Sequence, residues 1–191
     1  MKKKSAKTEQ TKQNLKDAFC QIYAEKDLSE ITVKEITDKA GLNRGTFYAY
    51  FQDLPDILQQ IEDEFIDRFV ERLSSAMTAF EGMNPIDSNE ELLLDLYRDH
   101  NSPTGILIWK RANYRFILKV KSALKMVFQK YLPENIINHP DYEYVIEYLM
   151  AGQLAMISLW MKKGQDKTPE EMIALSKAMI RESGMQYLYQ R

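Results

Sequence analysis

Arg44, Thr46, Tyr48 and Tyr50 alternate with other residues in the run Arg44-Gly45-Thr46-Phe47-Tyr48-Ala49-Tyr50-Phe51. A guanidinium can bridge O6 and N7 of guanine, and Thr and Tyr hydroxyls can donate to phosphate oxygens. Gly45 has no side chain, so the backbone there can approach a duplex closely. Phe47 and Phe51 are four residues apart and share one helix face. They are expected to pack inward and leave Arg44, Thr46, Tyr48 and Tyr50 outward. No comparable set suggests catalysis: there is no nucleophile–base pair and no phosphate loop. A single cysteine, Cys20, excludes an intramolecular disulfide framework and a Cys-rich metal site. It lies beside an apolar stripe and reads as a packing residue. The two histidines, His100 and His139, are widely separated and argue against a His-based metal site. The expectation is a chain without enzymatic activity, cofactor or metal.

The elements that must hold this run are all helical. Leu15, Ala18, Phe19, Ile22 and Tyr23 form one apolar stripe on a helix from about 8 to 26. Val33, Ile36, Thr37 and Ala40 repeat the spacing, preceded by a Thr32-x-x-Glu35 capping box that starts a second helix at 32–33. Gly41 is its stop, because glycine adopts the left-handed backbone cheaply. Asn43 caps a third helix over Arg44–Phe51. Two short helices around Gly41-Leu42-Asn43 fit a helix-turn-helix. In that motif the first helix braces across the backbone, and the second enters a major groove about 12 Å wide.

Asp53 and Pro55 open a fourth helix, whose stripe Leu54, Leu58, Ile61, Phe65, Phe69, Leu73, Ala76 and Phe80 lasts about seven turns. Gly82–Asn89 is a break, Glu90–Asp99 a short helix and Asn101–Gly105 a turn. A longer helix runs from near 106 or 113 to Tyr131, and a loop covers Pro133–Pro140. The last two helices span about 141–163 and 169–188, divided by Gly164 and restarted at Thr168-Pro169. No alternating strand pattern and no internal repeat is visible. The fold expectation is all-α, with about nine helices: a three-helix head over 1–52 and a helical body over 53–191.

Charge divides along the same boundary. Residues 1–52 carry ten Lys/Arg and seven Asp/Glu, hence +3, against 16 and 21, hence −5, in the remainder. A basic head on an acidic body suits a duplex-binding head, since the body then avoids phosphate. Lys2, Lys3, Lys4 and Lys7 fit either a solvated tail or an ordered arm. The opening MKKKSAKTEQTKQ has no apolar core and is not a secretory signal. The longest nearly apolar run, Leu154–Met161, is far short of the ~20 residues that span a bilayer. A cytoplasmic chain without a membrane partner is expected.

In the body, residues 142–161 are apolar almost all round, and a helix with two apolar faces needs two partners. One is the subunit's own core and the other a second copy. Tyr148 and Leu159, with the small residues Ala151, Gly152 and Ala155, form the candidate homodimer surface, and Met172, Leu175 and Met179 extend it. The other reading is a central helix wholly buried in one subunit. Nine of the ten methionines lie after position 76. Met adapts to varied shapes. The candidate lining of an effector pocket is Phe65, Phe69, Tyr97, Trp109, Tyr114, Phe128, Met150 and Trp160. Such a set is more often plain core than a cavity, and the residues alone leave both readings open.

The stretch ITVKEITDKAGLNRGTFYAYFQDLPDIL, with Gly41-x-x-Arg-Gly-Thr-Phe-Tyr-x-Tyr-Phe51 its sharpest part, resembles the DNA-binding segment of TetR/AcrR-type transcriptional regulators. The resemblance covers about residues 8–60 and, in architecture only, the helical body. It implies that Thr32 and Lys34 touch phosphate, that Arg44, Gly45 and Thr46 form the leading end of the recognition helix, and that Tyr48 and Tyr50 contact groove and phosphate. It also implies that the body binds an effector and dimerises through the last two helices. Gln52 and Leu54 depart from the pattern, since relatives often carry Lys at both. The functional expectation is a homodimeric regulator of double-stranded DNA, a repressor responding to a small apolar or aromatic effector at a near-palindromic operator. The alternatives are a helical protein-interaction module, and a regulator of this kind, including an activator, controlled by a protein partner.

Overall fold

In a computed structural model of the chain, which describes residues 2–78, 114–180 and 186–189, every described element is helical. The short helix expected over 90–99, the turn at 101–105 and the candidate pocket residues Tyr97 and Trp109 lie outside the described residues. The described chain divides into two compact units, one reaching Phe65 and the other resuming at Ile66.

Helix α1 spans Lys2–Tyr23. It begins well before the apolar stripe because Lys, Gln, Ala and Glu are adequate helix formers without packing. Leu15, Ala18, Phe19, Cys20 and Tyr23 are buried. A 3₁₀ turn at Leu28–Glu30 follows, which the hydrophobic pattern does not announce. It is held locally, with the Asp27 amide donating to Glu30 Oε2 at 3.0 Å.

Helix α2, Val33–Ala40, begins on the expected capping box and ends on Gly41 at φ 66°. Helix α3, Arg44–Tyr48, starts on Asn43 and is shorter than the sequence suggests. Ala49 already closes it, because Phe51 must turn into the core and Asp53 must cap the next helix. The Asp56 amide donates to Asp53 Oδ1 at 2.8 Å, and the Gln52 amide donates to Asp56 Oδ2 at 2.7 Å. These bonds start α4, Leu54–Thr78. The Gln52 bond, then Gln60, holds the Asp56 carboxyl below its ordinary range.

Helices α1–α3 pack on one another around Leu15, Phe19, Ile36, Phe47, Phe51 and Ile57, all essentially inaccessible. The Phe47 and Phe51 rings meet tilted at 49° with centroids 5.4 Å apart, and Phe19 and Tyr23 stack at the same distance. Lys16 is buried and pairs with Glu64, while Lys12 reaches the same carboxylate at 3.6 Å, tying α1 to α4. Burial pushes the Cys20 thiol up to about 12. A thiol in that state is not a nucleophile, in keeping with its reading as a packing residue.

In the second unit, α5 is Tyr114–Tyr131, α6 Glu134–Ile137, α7 Tyr142–Lys162, α8 Pro169–Ile180 and α9 Gln186–Tyr189. One helical turn, α6, stands where the sequence suggested only loop, anchored by fully buried Ile136. Gly164 ends α7 at φ 70°, and Gln165 follows at φ 63°. Thr168 and Glu171 then exchange amide bonds of 2.7 and 3.2 Å to open α8. Lys121–Glu147 and Lys125–Glu143 join α5 to α7.

The head core generates the first prediction. Phe47→Ala removes a fully buried ring and should destabilise the head by about 3–5 kcal/mol. Tyr48→Ala, one position on, should change stability by under ~1 kcal/mol, because that ring faces solvent. Urea unfolding followed by circular dichroism checks the contrast.

Candidate nucleic-acid interface

The surface of α3 is set by its cap. Asn43 Oδ1 accepts from the Thr46 amide at 2.8 Å and from the Thr46 hydroxyl at 3.1 Å. Thr46 is therefore half-buried and engaged locally, while Arg44 and Gly45 are exposed. A β-carbon at Gly45 would come within 3.2 Å of that same Asn43 oxygen. The glycine thus protects the cap as well as leaving the helix end open. Tyr48 is 60% exposed, its ring edge-on to Phe47 at 5.4 Å. Tyr50 is half-buried against Phe51 at 6.4 Å. Arg44, Gly45 and Tyr48 thus share an open surface above a rigid aromatic base.

Thr32 and Lys34 lie exposed at the start of α2. Glu35 Oε2 accepts from the Thr32 amide at 2.8 Å and from its hydroxyl at 2.9 Å. Lys26 donates to Glu35 Oε1 at 2.5 Å. The Lys26 bond, then the two from Thr32, lowers the Glu35 carboxyl from 4.5 to about 2. Lys34 pairs with Asp38 at 2.9 Å, one turn along. Glu35 was legible as a capping residue, but Lys26 was not, because it arrives across the 3₁₀ turn and no helix spacing points to it.

The remaining head residues fall as follows. Helix α1 carries the backbone of Lys2–Lys4, and Lys7 is exposed. Gln52 is exposed, and Leu54 packs against the head core, where a lysine could not serve equally.

In the second unit, Tyr144, Tyr148, Ala151, Gly152, Ala155 and Leu159 form one exposed stripe along α7, with Tyr148 65% open. A β-carbon at Gly152 would meet nothing within 4 Å. Met179 of α8 is exposed and Leu175 half-buried, but Met172 is only 3% exposed. Met172 therefore belongs to the interior and not to this face, because its turn of α8 points the side chain inward. Opposite the stripe, Tyr142, Ile146, Ile157 and Trp160 of α7 are buried.

Of the candidate pocket residues, Phe69 and Trp160 are buried, and Phe128 and Met150 half-buried. Phe65 is buried but falls in the first unit. The Trp160 indole donates to the Lys167 carbonyl at 2.9 Å. Tyr114 is 76% exposed at the start of α5, so it does not join the buried set. Among the described residues, two buried side-chain oxygens have no hydrogen-bond partner, Tyr142 Oη and Gln153 Oε1; a pattern of aromatic and Met residues does not point to Gln153. Among the described residues, no group of three or more His, Cys, Asp or Glu is disposed to hold a metal.

The family model "Bacterial regulatory proteins, tetR family" matches residues 17–61, and "Transcriptional regulator C-terminal region" matches residues 86–182. The HTH-type transcriptional regulator YxbF of Bacillus subtilis (strain 168) is 23% identical over 168 residues, 85% of this chain and 42% of that protein. The chain spans less than half the length of the curated relatives it matches. The fatty acid degradation regulator FadR from Bacillus halodurans superposes with a TM-score of 0.71 at 20% identity, over 91% of this chain and 95% of that one. FadR from Bacillus subtilis, solved in complex with stearoyl-CoA, gives 0.69 at 20% identity, over 89% and 97%. At this identity the likeness to the solved structures is one of fold.

The Glu35 network gives a pH prediction. A carboxyl depressed on folding contributes stability that is complete above its ordinary value and lost as pH falls through its folded value. The contribution should fade between 4.5 and about 2. Urea unfolding of wild type and Glu35→Gln across that window should converge toward the acid end, the wild type being more stable at neutral pH by the small margin an exposed pair supplies.

Proposed function

The chain belongs to the TetR family of bacterial transcriptional regulators, and on that premise we propose that it acts as a homodimeric repressor of a near-palindromic operator, released by an effector bound in the body. The observation that carries this reading is the division of α3. Phe47 and Phe51 are wholly buried while Arg44, Gly45 and Tyr48 stand open beside them.

In this reading α3 enters the major groove, Arg44 reads a base edge and Tyr48 meets groove and phosphate. Tyr50 and Thr46 are supporting contacts, half-buried before DNA arrives. Thr32 and Lys34 hold the phosphate backbone. Lys34 exchanges Asp38 for phosphate at little cost, since an exposed pair is worth little.

The open apolar stripe of α7, extended by Leu175 and Met179 of α8, is the proposed dimer face. Tyr144, Tyr148 and Leu159 supply apolar area, and Ala151, Gly152 and Ala155 let two helices approach closely. By length and composition, α7 is also apolar enough to cross a membrane. The pairing of its Glu143 and Glu147 with α5 lysines favours packing against α5 in water over a place in a bilayer, and a cytoplasmic protein is proposed to go with the DNA-binding role. The buried face of the same helix is the proposed effector side. Gln153 and Tyr142 bring polar atoms without partners into a mainly apolar interior, a combination suited to an apolar ligand with one polar group. The stearoyl-CoA complex of the Bacillus subtilis FadR makes a long acyl chain the first class to test. An effector that prefers one body conformation shifts the dimer toward it. Helix α4, which contributes residues to both units, is the proposed link to the head. No catalytic role is proposed.

Two measurements test this reading. On a palindromic duplex selected from a random library by the wild-type protein, Arg44→Ala should cost about 1–3 kcal/mol per head and relax preference at one base position in each half-site, whereas Lys34→Ala should weaken all duplexes and lower the salt slope by about one per head. Fluorescence anisotropy across a salt series reads both. Separately, Gly152→Arg should yield a folded monomer by analytical ultracentrifugation; a variant that remains dimeric removes α7 from the interface.

A further inference from the structure

We propose that Lys26 determines DNA affinity through Glu35, by cancelling a carboxylate charge that the α2 cap carries to the phosphate-facing end of the head. The proposal rests on the preceding reading that Thr32 and Lys34 face the DNA backbone. The cap is closed by the Glu35 side chain, one of whose carboxylate oxygens accepts both bonds from Thr32. It thereby fixes a negative charge beside the residue assigned to touch phosphate, where like charges repel. The second oxygen is taken by Lys26 at 2.5 Å. Beyond Glu35, Lys26 also feels Glu30 and Glu25. At the α2 surface, Glu35 and Asp38 are balanced one for one by Lys26 and Lys34. Lys39 adds an exposed cation only in the last turn of α2, so without Lys26 it is the first turn, beside Thr32, that carries the uncancelled Glu35 carboxylate, and the neighbouring Glu30 and Glu25 add to it.

The consequence is electrostatic and not structural. Both side chains are substantially exposed, at 46% and 36%, and such pairs contribute little to folding. Near a phosphate row, an uncancelled charge acts on every duplex and is screened by salt. Lys26 is therefore a positioning residue for charge, acting on DNA through its partner.

The test is a double-mutant cycle on the full chain with the library-selected duplex, using Lys26→Gln, Glu35→Gln, the double variant and Lys26→Arg. Glutamine at position 35 keeps the capping box, since Gln serves that role as Glu does. Lys26→Gln should weaken binding about fivefold per head at low salt, with the loss shrinking as salt rises. Glu35→Gln should bind as tightly as wild type or tighter. The double variant should return to within about twofold of wild type, and Lys26→Arg should bind normally. Thermal unfolding of all four checks that the head stays folded. A double variant as weak as Lys26→Gln overturns the proposal, because Lys26 would then touch DNA itself or support the fold. Wild-type affinity in Lys26→Gln overturns it equally. A wild type that binds no duplex in a salt-dependent manner removes the DNA reading, and this proposal with it, whereas tight wild-type binding without coupling leaves the reading intact.

Discussion

A helix of five residues cannot hold itself together in water, because nucleation costs more than so few hydrogen bonds return. Helix α3 exists because Phe47 and Phe51 are driven into the core built by Leu15, Phe19, Ile36 and Ile57, and because the Asn43 side chain caps the Thr46 amide in its first turn. That burial also decides orientation. Once the two rings are inside, Arg44, Gly45 and Tyr48 have only the outside left. The side chains that could read a duplex are thus positioned by side chains that never meet one. The same economy explains Gly45, whose missing β-carbon spares the capping oxygen while leaving the helix end bare.

Charge in the head is organised in pairs more than as a diffuse field. The +3 of residues 1–52 includes Lys12 and Lys16, which are engaged by Glu64 beyond that segment. Lys26 and Lys34 are matched to Glu35 and Asp38. Exposed pairs of this kind release their lysines readily, whereas buried Lys16 is committed to the fold. Counting charges along the chain therefore overstates what can be offered to a polyanion. Position and burial decide which cations are available.

Helix α7 serves two surfaces at once. Tyr142, Ile146, Ile157 and Trp160 close the interior of the second unit, while Tyr144, Tyr148 and Leu159 leave an apolar stripe in solvent. The small residues Ala151, Gly152 and Ala155 are exposed along that stripe, and Gly152 has open space where a side chain would stand. Large apolar patches on soluble proteins mark interaction sites. Gln153 and Tyr142 add unpartnered acceptors on the inward side. The proposed dimer face and effector side are thus opposite faces of one rod.

Features written within one helical turn were legible in advance. The Thr32–Glu35 box, the Gly41 and Gly164 stops, the Asn43 and Asp53 caps and the inward Phe47 and Phe51 follow from spacings of three or four residues, because capping and helix-face geometry are local. The early end of α3 was not legible, since it reflects a demand by Phe51 and Asp53 jointly. Nor were Lys26 on Glu35, Lys16 on Glu64, Met172 turned inward or Tyr114 turned out. These depend on the rotation and neighbours of each helix once packed, and a hydrophobic residue type does not encode which apolar surface it will face. The amino-acid sequence alone determined the helical class, the helix-turn-helix and its outward Arg44 and Tyr48, whereas Thr46 and Tyr50, expected outward, are half-buried. Tertiary structure decided which charges are already spent, which apolar residues remain uncovered and which polar atoms lack partners, because all three depend on atoms brought together from distant parts of the chain.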